Sequence, residues 1–326
     1  MAYTTIDDPS AYFQTTLYTG DGSTSHAITN GGNSDLQPDW LWIKSRSSTE
    51  QHFAFDSVRG QSKYIFPNAA NAEGTASTGI LNSFNSDGFT LGNNDGVNAN
   101  SETFVAWQWK KVAGVFDIQT YSGASNTRTI SHNLGVVPKA MIFKRLDDGA
   151  WIVYHADAGG ADKYLVLNTN AAVDTATTLF NNTVPTSSVF SVGNTNSTNG
   201  SGIDYVVYLI GNKQGVSKCG SYTGNGNANG PYIHLGFKPA FVMAKKSSGT
   251  EDWSITDNKM NTFNVCNNKL RPNSTSQEST GNAHIDFLSN GFKWKSTSGE
   301  FNASGSTYIY MAFAENPFVT SSGVPA

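Results

Sequence analysis

Charge and leucine are both scarce in this chain of 326 residues. Only 14% of the residues are charged, against roughly 25% in a typical soluble domain, and there are 14 leucines beside 32 glycines and 33 asparagines. Because helix surfaces are normally filled with Leu, Ala, Glu, Lys and Arg, this composition excludes a mainly helical fold. Hydrophobic residues still make up 38% and aromatic residues 12%, which is enough for packed cores. The composition therefore predicts an all-β protein.

Long hydrophobic runs and clustered positive charge are also absent. The longest apolar run is the six residues from Tyr205 to Ile210, far below the roughly 20 that a membrane-spanning helix needs. The net charge is −4 and the lysines and arginines are scattered, so no basic stripe could neutralise several phosphates. We therefore expect neither membrane insertion nor nucleic acid as a partner.

Cysteine is nearly missing. Cys219 and Cys266 are the two in the sequence, too few for a disulfide framework in a chain of this length. The first residues contain neither the basic nor the apolar region of a secretory signal. We expect two buried thiols in a protein made in a reducing cytoplasm, with a single bridge between them as the alternative.

The sequence motifs of catalysis are missing too. The chain contains no nucleophile elbow, no phosphate-binding loop, no His-Glu-x-x-His and no EF-hand loop. The sequence therefore predicts no catalytic residues, no cofactor and no metal site.

What the sequence does contain is an internal repeat of about 100 residues. The tripeptide Tyr18-Thr-Gly returns as Tyr121-Ser-Gly and Tyr222-Thr-Gly, at offsets of 103 and 101. This period is longer than a solenoid unit and close to the size of an independent β-sandwich. A proline with a lysine six residues after it follows each tripeptide, at Pro38, Pro138 and Pro239.

The repeats divide the chain into domains. An N-terminal arm (1–14) precedes three β-sandwich repeats (15–113, 114–214 and 215–315), and a C-terminal tail (316–326) follows them. The joints, Lys110 to Gly114 and Gly211 to Gly215, have about five residues each, a normal length for a short loop. The sequence therefore predicts three tandem homologous domains in close contact. Their arrangement, a rigid rod or a compact pseudo-threefold cluster, stays open.

The strand after each of these prolines is apolar throughout and does not alternate. It covers residues 40–43, 140–143 and 240–244. Because such strands are covered on both faces, we expect one face to meet its own sandwich core. The other should meet a second layer or the adjoining repeat.

One polar position in the next strand could carry chemistry. It is occupied by Asp56, His155 and Asp257, which as acid and base groups could meet near a pseudo-threefold axis. A hydrolase, however, needs a matched pair of carboxylates in a cleft, and here the residue type changes between repeats. We therefore interpret the three as strand-end residues that bond to the backbone amides of the next turn.

Aromatic side chains provide the remaining candidate surface. Exposed rings could stack on sugars, whereas buried rings, which cover roughly 150 to 250 Å² each, dominate interfaces. For the loop-flanking residues Tyr64, Tyr164 and Trp294, contact with a surface glycan and core packing both stay open. The tryptophans on the apolar strands are predicted to pack between repeats: Trp40, Trp42, Trp107 and Trp109.

Several longer runs resemble a known family. They comprise residues 12–23, 38–44, 56–60, 185–193, 217–227, 286–293 and 308–315. In order and wording they resemble repeat-containing virion proteins, described as tail fibre proteins, of tailed phages that infect marine bacteria. The similarity covers essentially the whole chain. It implies a virion component without known catalysis, and it carries over no catalytic residues.

The resemblance implies a non-enzymatic structural protein at the virion surface, made in the host cytoplasm. The leading expectation is a tail fibre or receptor-binding component. The alternatives are a capsid-attached decoration or head-fibre protein, and a glycan-depolymerising, tailspike-like enzyme. The expected partners are other virion proteins, further copies of the chain in a trimer, and a host surface glycan.

Overall fold

The computed structural model describes residues 4–76, 78–320 and 322, and for residues 282–284 only the backbone. This part of the chain contains 25 strands, three one-turn α-helices and two 3-10 turns, so the all-β prediction is confirmed. Residues 1–3 of the predicted arm, and residues 321 and 323–326 of the predicted tail, lie outside the described residues. The first 3-10 turn, η1 (Pro9–Ala11), precedes the first strand.

Segment 1, residues 13–109, forms two layers of antiparallel strands. Its larger sheet has the order β1-β9-β3-β4, a smaller sheet has the order β2-β8-β7, and β5 pairs with β6. The elements are β1 (Phe13–Thr19), β2 (His26–Ile28), β3 (Trp40–Ser45), β4 (Phe53–Asp56), β5 (Lys63–Tyr64), β6 (Gly74–Thr75), β7 (Leu81–Phe84), β8 (Phe89–Leu91), α1 (Asp95–Asn98) and β9 (Thr103–Trp109).

Segment 2, residues 116–210, repeats this plan. The order β10-β17-β12-β13 corresponds to the larger sheet of segment 1 and is extended by β14 and β15, while β11 pairs with β16. The elements are β10 (Phe116–Ser122), β11 (Arg128–Ser131), β12 (Ala140–Arg145), β13 (Trp151–His155), η2 (Ala156–Ala158), β14 (Lys163–Val166), β15 (Asp174–Thr175), β16 (Val189–Val192), α2 (Asn196–Asn199) and β17 (Asp204–Ile210).

Segment 3, residues 217–317, has the same larger sheet once more. Its order is β18-β25-β20-β21, and the second sheet has the order β19-β24-β23-β22. The elements are β18 (Ser217–Thr223), β19 (Tyr232–His234), β20 (Phe237–Lys246), β21 (Ser254–Asp257), β22 (Cys266–Lys269), β23 (Ser279–Leu288), β24 (Gly291–Trp294), α3 (Gly299–Asn302) and β25 (Thr307–Pro317).

The repeated Tyr-x-Gly motif closes one end of each segment. In segment 1, the Tyr18 hydroxyl donates to the Val97 carbonyl at 2.7 Å. The buried Asn98 amide accepts from the Asp21 N–H at 3.0 Å and donates to the Gly92 carbonyl at 2.9 Å. These bonds fix the turn after β1 to the one-turn helix α1. The repeat in the sequence therefore corresponds to a hydrogen-bonded turn that recurs in each segment.

The glycine of this motif is required by the close approach of two backbones, which gives a first testable prediction. A Cβ on Gly123 would lie 2.0 Å from the Gly200 carbonyl oxygen. We therefore expect Gly123→Ala to lower the free energy of unfolding by about 2 kcal/mol, measured by urea denaturation. Gly31→Ala is the control, because a Cβ there meets nothing within 4 Å. Equal stability of the two variants would contradict the prediction.

The apolar strand β3 is buried on both faces. Trp40 and Trp42 lie on the face turned toward the other segments, and Leu41 and Ile43 lie in the core of segment 1. The equivalent strands β12 and β20 divide their side chains in the same way. The two-sided burial predicted for these strands is confirmed.

All three segments contribute to one shared hydrophobic cluster, which we call the central core. The side chains on the outward face of each larger sheet meet there, while each segment keeps a separate core on the opposite face of that sheet. Members of the central core include Trp40, Trp42, Trp107, Trp109, Phe116, Ile142, Trp151, Tyr208, Phe241, Met243, Trp253 and Phe313.

Backbone hydrogen bonds connect the segments in a closed cycle. They join Glu73 N to Leu146 O at 2.8 Å, Val173 N to Ser247 O at 2.9 Å, and Glu278 N to Arg46 O at 2.9 Å. Segment 1 therefore donates to segment 2, segment 2 to segment 3, and segment 3 back to segment 1. Of the two arrangements that the sequence left open, these contacts correspond to the compact cluster.

Candidate functional site

A ring N–H at the start of β4, β13 and β21 binds each segment to a neighbour. The three contacts are Trp151 Nε1 to Phe66 O at 2.9 Å, Trp253 Nε1 to Val166 O at 3.0 Å, and His52 Nε2 to Arg271 O at 3.0 Å. The accepting carbonyls occupy equivalent positions in the three segments. The contacts therefore form a second closed cycle around the central core.

His52 holds one tautomer in this cycle. The Trp42 indole N–H donates to His52 Nδ1 at 2.9 Å, so the proton of the neutral ring lies on Nε2, which donates to the Arg271 carbonyl. Burial and the nearby Lys44 ammonium lower the pKa of His52 to about 3. The ring is therefore neutral at ordinary pH.

The candidate acid and base position faces the neighbouring segments. Asp56 accepts from the Tyr208 hydroxyl of segment 2 at 2.8 Å, and Asp257 accepts from the Trp107 indole of segment 1 at 2.9 Å. Both carboxylates are fully buried. Burial raises the pKa of the Asp257 carboxyl, although the hydrogen bonds donated to it act in the opposite direction.

His155 replaces aspartate where the neighbour has no side-chain donor. The position held by Trp107 in segment 1 and by Tyr208 in segment 2 is held in segment 3 by Met311, whose side chain cannot donate a hydrogen bond. His155 accepts the Asp157 N–H on Nδ1 at 3.2 Å and therefore donates from Nε2 to the Tyr310 carbonyl at 3.2 Å. The change of residue type between repeats thus follows the change of partner.

The same three residues also bond to the turn that follows them. Asp56 accepts the Arg59 N–H at 2.8 Å, and Asp257 accepts the Lys259 N–H at 2.9 Å. His155 accepts the Asp157 N–H. The interpretation of this position as strand-end residues bonded to the next turn is confirmed.

A buried charge network surrounds Asp56. The Arg59 guanidinium contacts Asp56 at 2.6 Å and Glu73 at 3.0 Å, and it lies 3.3 Å from the Tyr208 hydroxyl. Burial opposes the charge on Arg59, but these partners raise the pKa of its guanidinium. The network holds the Asp56 carboxylate inside the protein and stabilises the contact between segments 1 and 2.

The lysine six residues after each proline is buried and bonds to loop carbonyls. Lys44 Nζ donates to Ser45 O at 2.7 Å and Ser48 O at 3.0 Å. Burial lowers the pKa of the Lys44, Lys144 and Lys245 ammonium groups to about 8. Their role visible in the structure is to close the loop after the apolar strand, at Lys44, Lys144 and Lys245.

Among the candidate glycan contacts, Trp294 requires a correction. Its indole is only 1% exposed and stacks on the Phe301 ring, with 4.4 Å between centroids. Neither face of the ring is open to a sugar, because the sheet β19-β24-β23-β22 and α3 enclose it in the core of segment 3. Of the two interpretations that the sequence left open, core packing is the one that describes Trp294.

Tyr64 and Tyr164 are half-buried at equivalent positions of β5 and β14. The Tyr64 ring packs on Phe53, with 5.6 Å between centroids. The Tyr164 hydroxyl donates to the Asp174 carboxylate at 3.0 Å. Contact of these two tyrosines with a glycan stays a prediction.

The four strand tryptophans lie in the central core. The Trp40 ring stacks on the Tyr208 ring of segment 2, with 4.3 Å between centroids. The centroids of the Trp109 ring and the Phe241 ring of segment 3 are 5.7 Å apart. Trp107 bonds to segment 3 through Asp257, and Trp42 reaches segment 3 through His52. The structure thus places Trp40, Trp42, Trp107 and Trp109 between segments.

Cys219 and Cys266 are both buried and unbridged. Burial raises the pKa of both thiols, that of Cys266 to about 11. The expectation of two buried thiols is confirmed, and the alternative of a bridge is wrong.

Two grooves lie at equivalent junctions between segments. The 3–1 groove, about 570 Å³ in volume, lies between β1 of segment 1 and residues 258–262 and 314–316 of segment 3. The 2–3 groove, about 470 Å³, lies between β18 of segment 3 and residues of segment 2, and Lys139, Lys218 and Tyr232 line it. Both grooves are within the usual size range of small-molecule sites.

Sequence reasoning missed the grooves because each is formed by segments distant in the chain. One signal was present. Twelve residues separate Asp257 from Leu270, whereas eight separate Asp56 from Ile65 and nine separate His155 from Leu165. The additional residues of segment 3 form a longer loop beside the 3–1 groove, and this loop carries the exposed Phe263.

Within the described residues, no cluster of three or more His, Cys, Asp or Glu side chains could hold a metal ion. None of the helices in the same part of the chain is both long and apolar enough to cross a membrane.

Comparison with known proteins gives a match to a protein family. The profile of a family described as a domain of unknown function (DUF7483) matches residues 8–317. No curated protein matches the chain, and no solved structure matches it.

Proposed function

The chain belongs to the DUF7483 family, and we propose that it is a non-enzymatic structural protein of a phage virion. In this proposal it is a tail fibre or receptor-binding component at the virion surface that contacts the host. Its partners are other virion proteins, further copies of the chain in a trimer, and a host surface glycan. The resemblance of the repeat motifs supports the virion assignment.

The observation that carries the non-enzymatic part is the enclosure of the candidate acid and base groups. Asp56, His155 and Asp257 are fully buried, and each is bonded to a neighbouring segment. A general acid or base has to come within about 2.6 to 3.2 Å of a substrate proton, directly or through one water. Here a neighbouring segment occupies the place next to each group where a substrate would have to bind, so the groups serve to join the segments.

We propose, as the finer architecture, three tandem homologous β-sandwich domains with the bounds 15–113, 114–214 and 215–315. The same strand order in the three larger sheets supports it, as does the pairing of equivalent residues, Tyr18 with Phe104, Tyr121 with Tyr205 and Tyr222 with Tyr308. The shared central core makes the three domains a single rigid support.

A second candidate function is a capsid-attached decoration or head-fibre protein. One observation favours it: a closed cycle of three similar segments offers three similar edges to a threefold position of a shell. A tailspike-like depolymerase is the third candidate, and the experiment below tests it as well.

The proposed function predicts adhesion without cleavage. Purified protein should bind host cells and isolated host envelope polysaccharide, and size-exclusion chromatography should show the polymer at unchanged length after incubation. Heat-denatured protein is the control. A fall in the chain length of the polysaccharide would support the depolymerase instead.

The location of the protein on the virion separates the fibre from the decoration protein. In electron micrographs of virions labelled with antibody, signal on the tail is the expected result, and signal on the head would replace the fibre assignment with the decoration protein.

A further inference from the structure

The 3–1 groove differs from the 2–3 groove in its size and its continuation. Its volume of about 570 Å³ is within the usual range for small-molecule sites. It continues into a hollow of about 340 Å³ beneath the long loop of segment 3. The two share the lining residues Asn258, Lys259, Thr262 and Glu315.

Two buried polar atoms in this groove have no protein partner. Thr15 is only 8% exposed, and its hydroxyl has no hydrogen-bond partner among the described residues. The side-chain oxygen of Asn258 is likewise buried and unpartnered within that part of the chain. Buried polar atoms without a partner destabilise a fold, so native proteins nearly always satisfy them. Both residues line the groove.

The equivalent positions in the other segments carry apolar or smaller side chains. In the register of the larger sheets, Thr15 corresponds to Ile118 and Cys219. Asn258 corresponds to Ser57 and Ala156, and the backbone N–H of each donates to an equivalent carbonyl at the start of the apolar strand. The fold therefore accepts apolar or small side chains at both positions. Thr15 and Asn258 are not required by the architecture.

The apolar lining of the groove and a nearby aromatic ring complete the arrangement. The partly exposed Leu17 and the buried Phe13 and Ala314 line the groove. Phe263 on the long loop, which lines the adjoining hollow, is 83% exposed. The C–H faces of a sugar ring pack on apolar and aromatic surfaces, while its hydroxyls take hydrogen bonds. This combination is present in the 3–1 groove.

The charges around the groove favour a neutral ligand. Glu315 forms an ion pair with Lys238 at 2.6 Å. Asp8 is hydrogen-bonded to the hydroxyls of Ser10 and Ser34. Asp8 and the exposed Lys259 carry opposite charges in the lining, so no excess of one sign is offered to an ionic group. Uncharged amides and hydroxyls, at Asn33, Thr262 and Asn316, make up much of the remaining lining.

We propose that the 3–1 groove binds a short neutral oligosaccharide segment of the host surface glycan. This inference rests on the proposed receptor-binding function. The hydroxyl groups of the sugar bond to Thr15 and Asn258, one of its C–H faces lies on Leu17, and a neighbouring sugar packs on Phe263.

The test uses the full chain and neutral oligosaccharides prepared from host envelope polysaccharide, with binding measured by calorimetry. Thr15→Val keeps the shape of the side chain and removes the hydroxyl, and Phe263→Ala removes the exposed ring. Each is expected to weaken binding roughly three- to tenfold. Thr15→Val should leave the melting temperature unchanged or raised, because it removes an unpartnered buried hydroxyl. Tyr232→Ala in the 2–3 groove is the control and should bind as tightly as the wild type.

The outcomes separate this inference from the proposed function. If the wild type binds the oligosaccharides and both variants bind equally well, the groove assignment is overturned and the adhesive function stands. If the wild type adsorbs to cells but binds no neutral oligosaccharide, the inference is again overturned. If Phe263→Ala abolishes binding of a protein partner but leaves sugar binding unchanged, the surface is a protein-binding site and the inference is overturned. Groove-dependent sugar binding by a protein located on the head would support the groove and overturn the receptor-binding function.

Discussion

Trp40→Ala is expected to lower the free energy of unfolding by about 4 kcal/mol. The Trp40 ring stacks on Tyr208 at 4.3 Å and on Phe116 at 5.5 Å, both in segment 2. Its indole N–H has no partner among the described residues, so the substitution costs no hydrogen bond and the loss is one of packing. The cavity would open where the segments meet.

Urea denaturation followed by both circular dichroism and tryptophan fluorescence measures this loss. Val184→Ala, at a side chain that is 61% exposed, is the control and should change the free energy of unfolding by less than about 0.5 kcal/mol. A loss for Trp40→Ala as small as that of the control would show that the central core contributes little to stability. Coincident transitions by the two probes are expected, because the segments share that core.

Stability is expected to fall steeply in mild acid because two histidines are held neutral inside the protein. Burial lowers the pKa of His52 to about 3 and that of His155 to about 4. Lys44 faces His52, and Asp157 and Lys139 face His155. In the unfolded chain both imidazoles have a pKa near 6.5. Below about pH 6.5 the unfolded state therefore binds two protons that the folded state does not.

The stability contributed by these groups is fully present above the unfolded pKa and is lost as pH falls toward the folded values. Two protons correspond to about 2.7 kcal/mol per pH unit, or roughly 6 kcal/mol between pH 6.5 and 4. Asp257 acts in the opposite direction, since burial raises the pKa of its carboxyl, but it is one group against two. The measurement is the free energy of unfolding in urea at a series of pH values.

His155→Gln provides the matched variant for this pH series. Its amide can still donate to the Tyr310 carbonyl but takes up no proton, so the slope between pH 6.5 and 4 should fall by about half. An unchanged slope would show that His155 is not one of the groups responsible.

The sequence alone predicted the parts of the structure that depend on local pattern. The spacing of the Tyr-x-Gly motif gave the repeat, and the unbroken apolar runs gave strands buried on both faces. The position of Asp56, His155 and Asp257 was interpreted correctly as structural because its residue type varied. The reason for this variation could be seen only in the structure, because Met311 and the Tyr310 carbonyl lie far from His155 in the chain.

The sequence could not predict which aromatic rings are exposed. Trp294 and Tyr64 both flank loops, yet α3 covers the first, and the second is only half covered by its own sheet. Phe263, whose ring is 83% exposed, lies in the longer loop of segment 3, where the repeats lose their alignment. The groove beside it lies between β1 and the end of β25, and these strands are close in space because the cycle closes, which no local sequence signal predicts.

The closed cycle also affects how the chain reaches its native state during synthesis. His52 bonds to Arg271, 219 residues later in the chain, so segment 1 leaves the ribosome with Trp107 and Trp109 lacking their partners from segment 3. Domains generally fold in the order in which they emerge, and apolar surface exposed in the meantime promotes aggregation. Of the three segments, the one synthesised last covers the one synthesised first, and the nascent chain must keep an apolar sheet face soluble until β25 arrives.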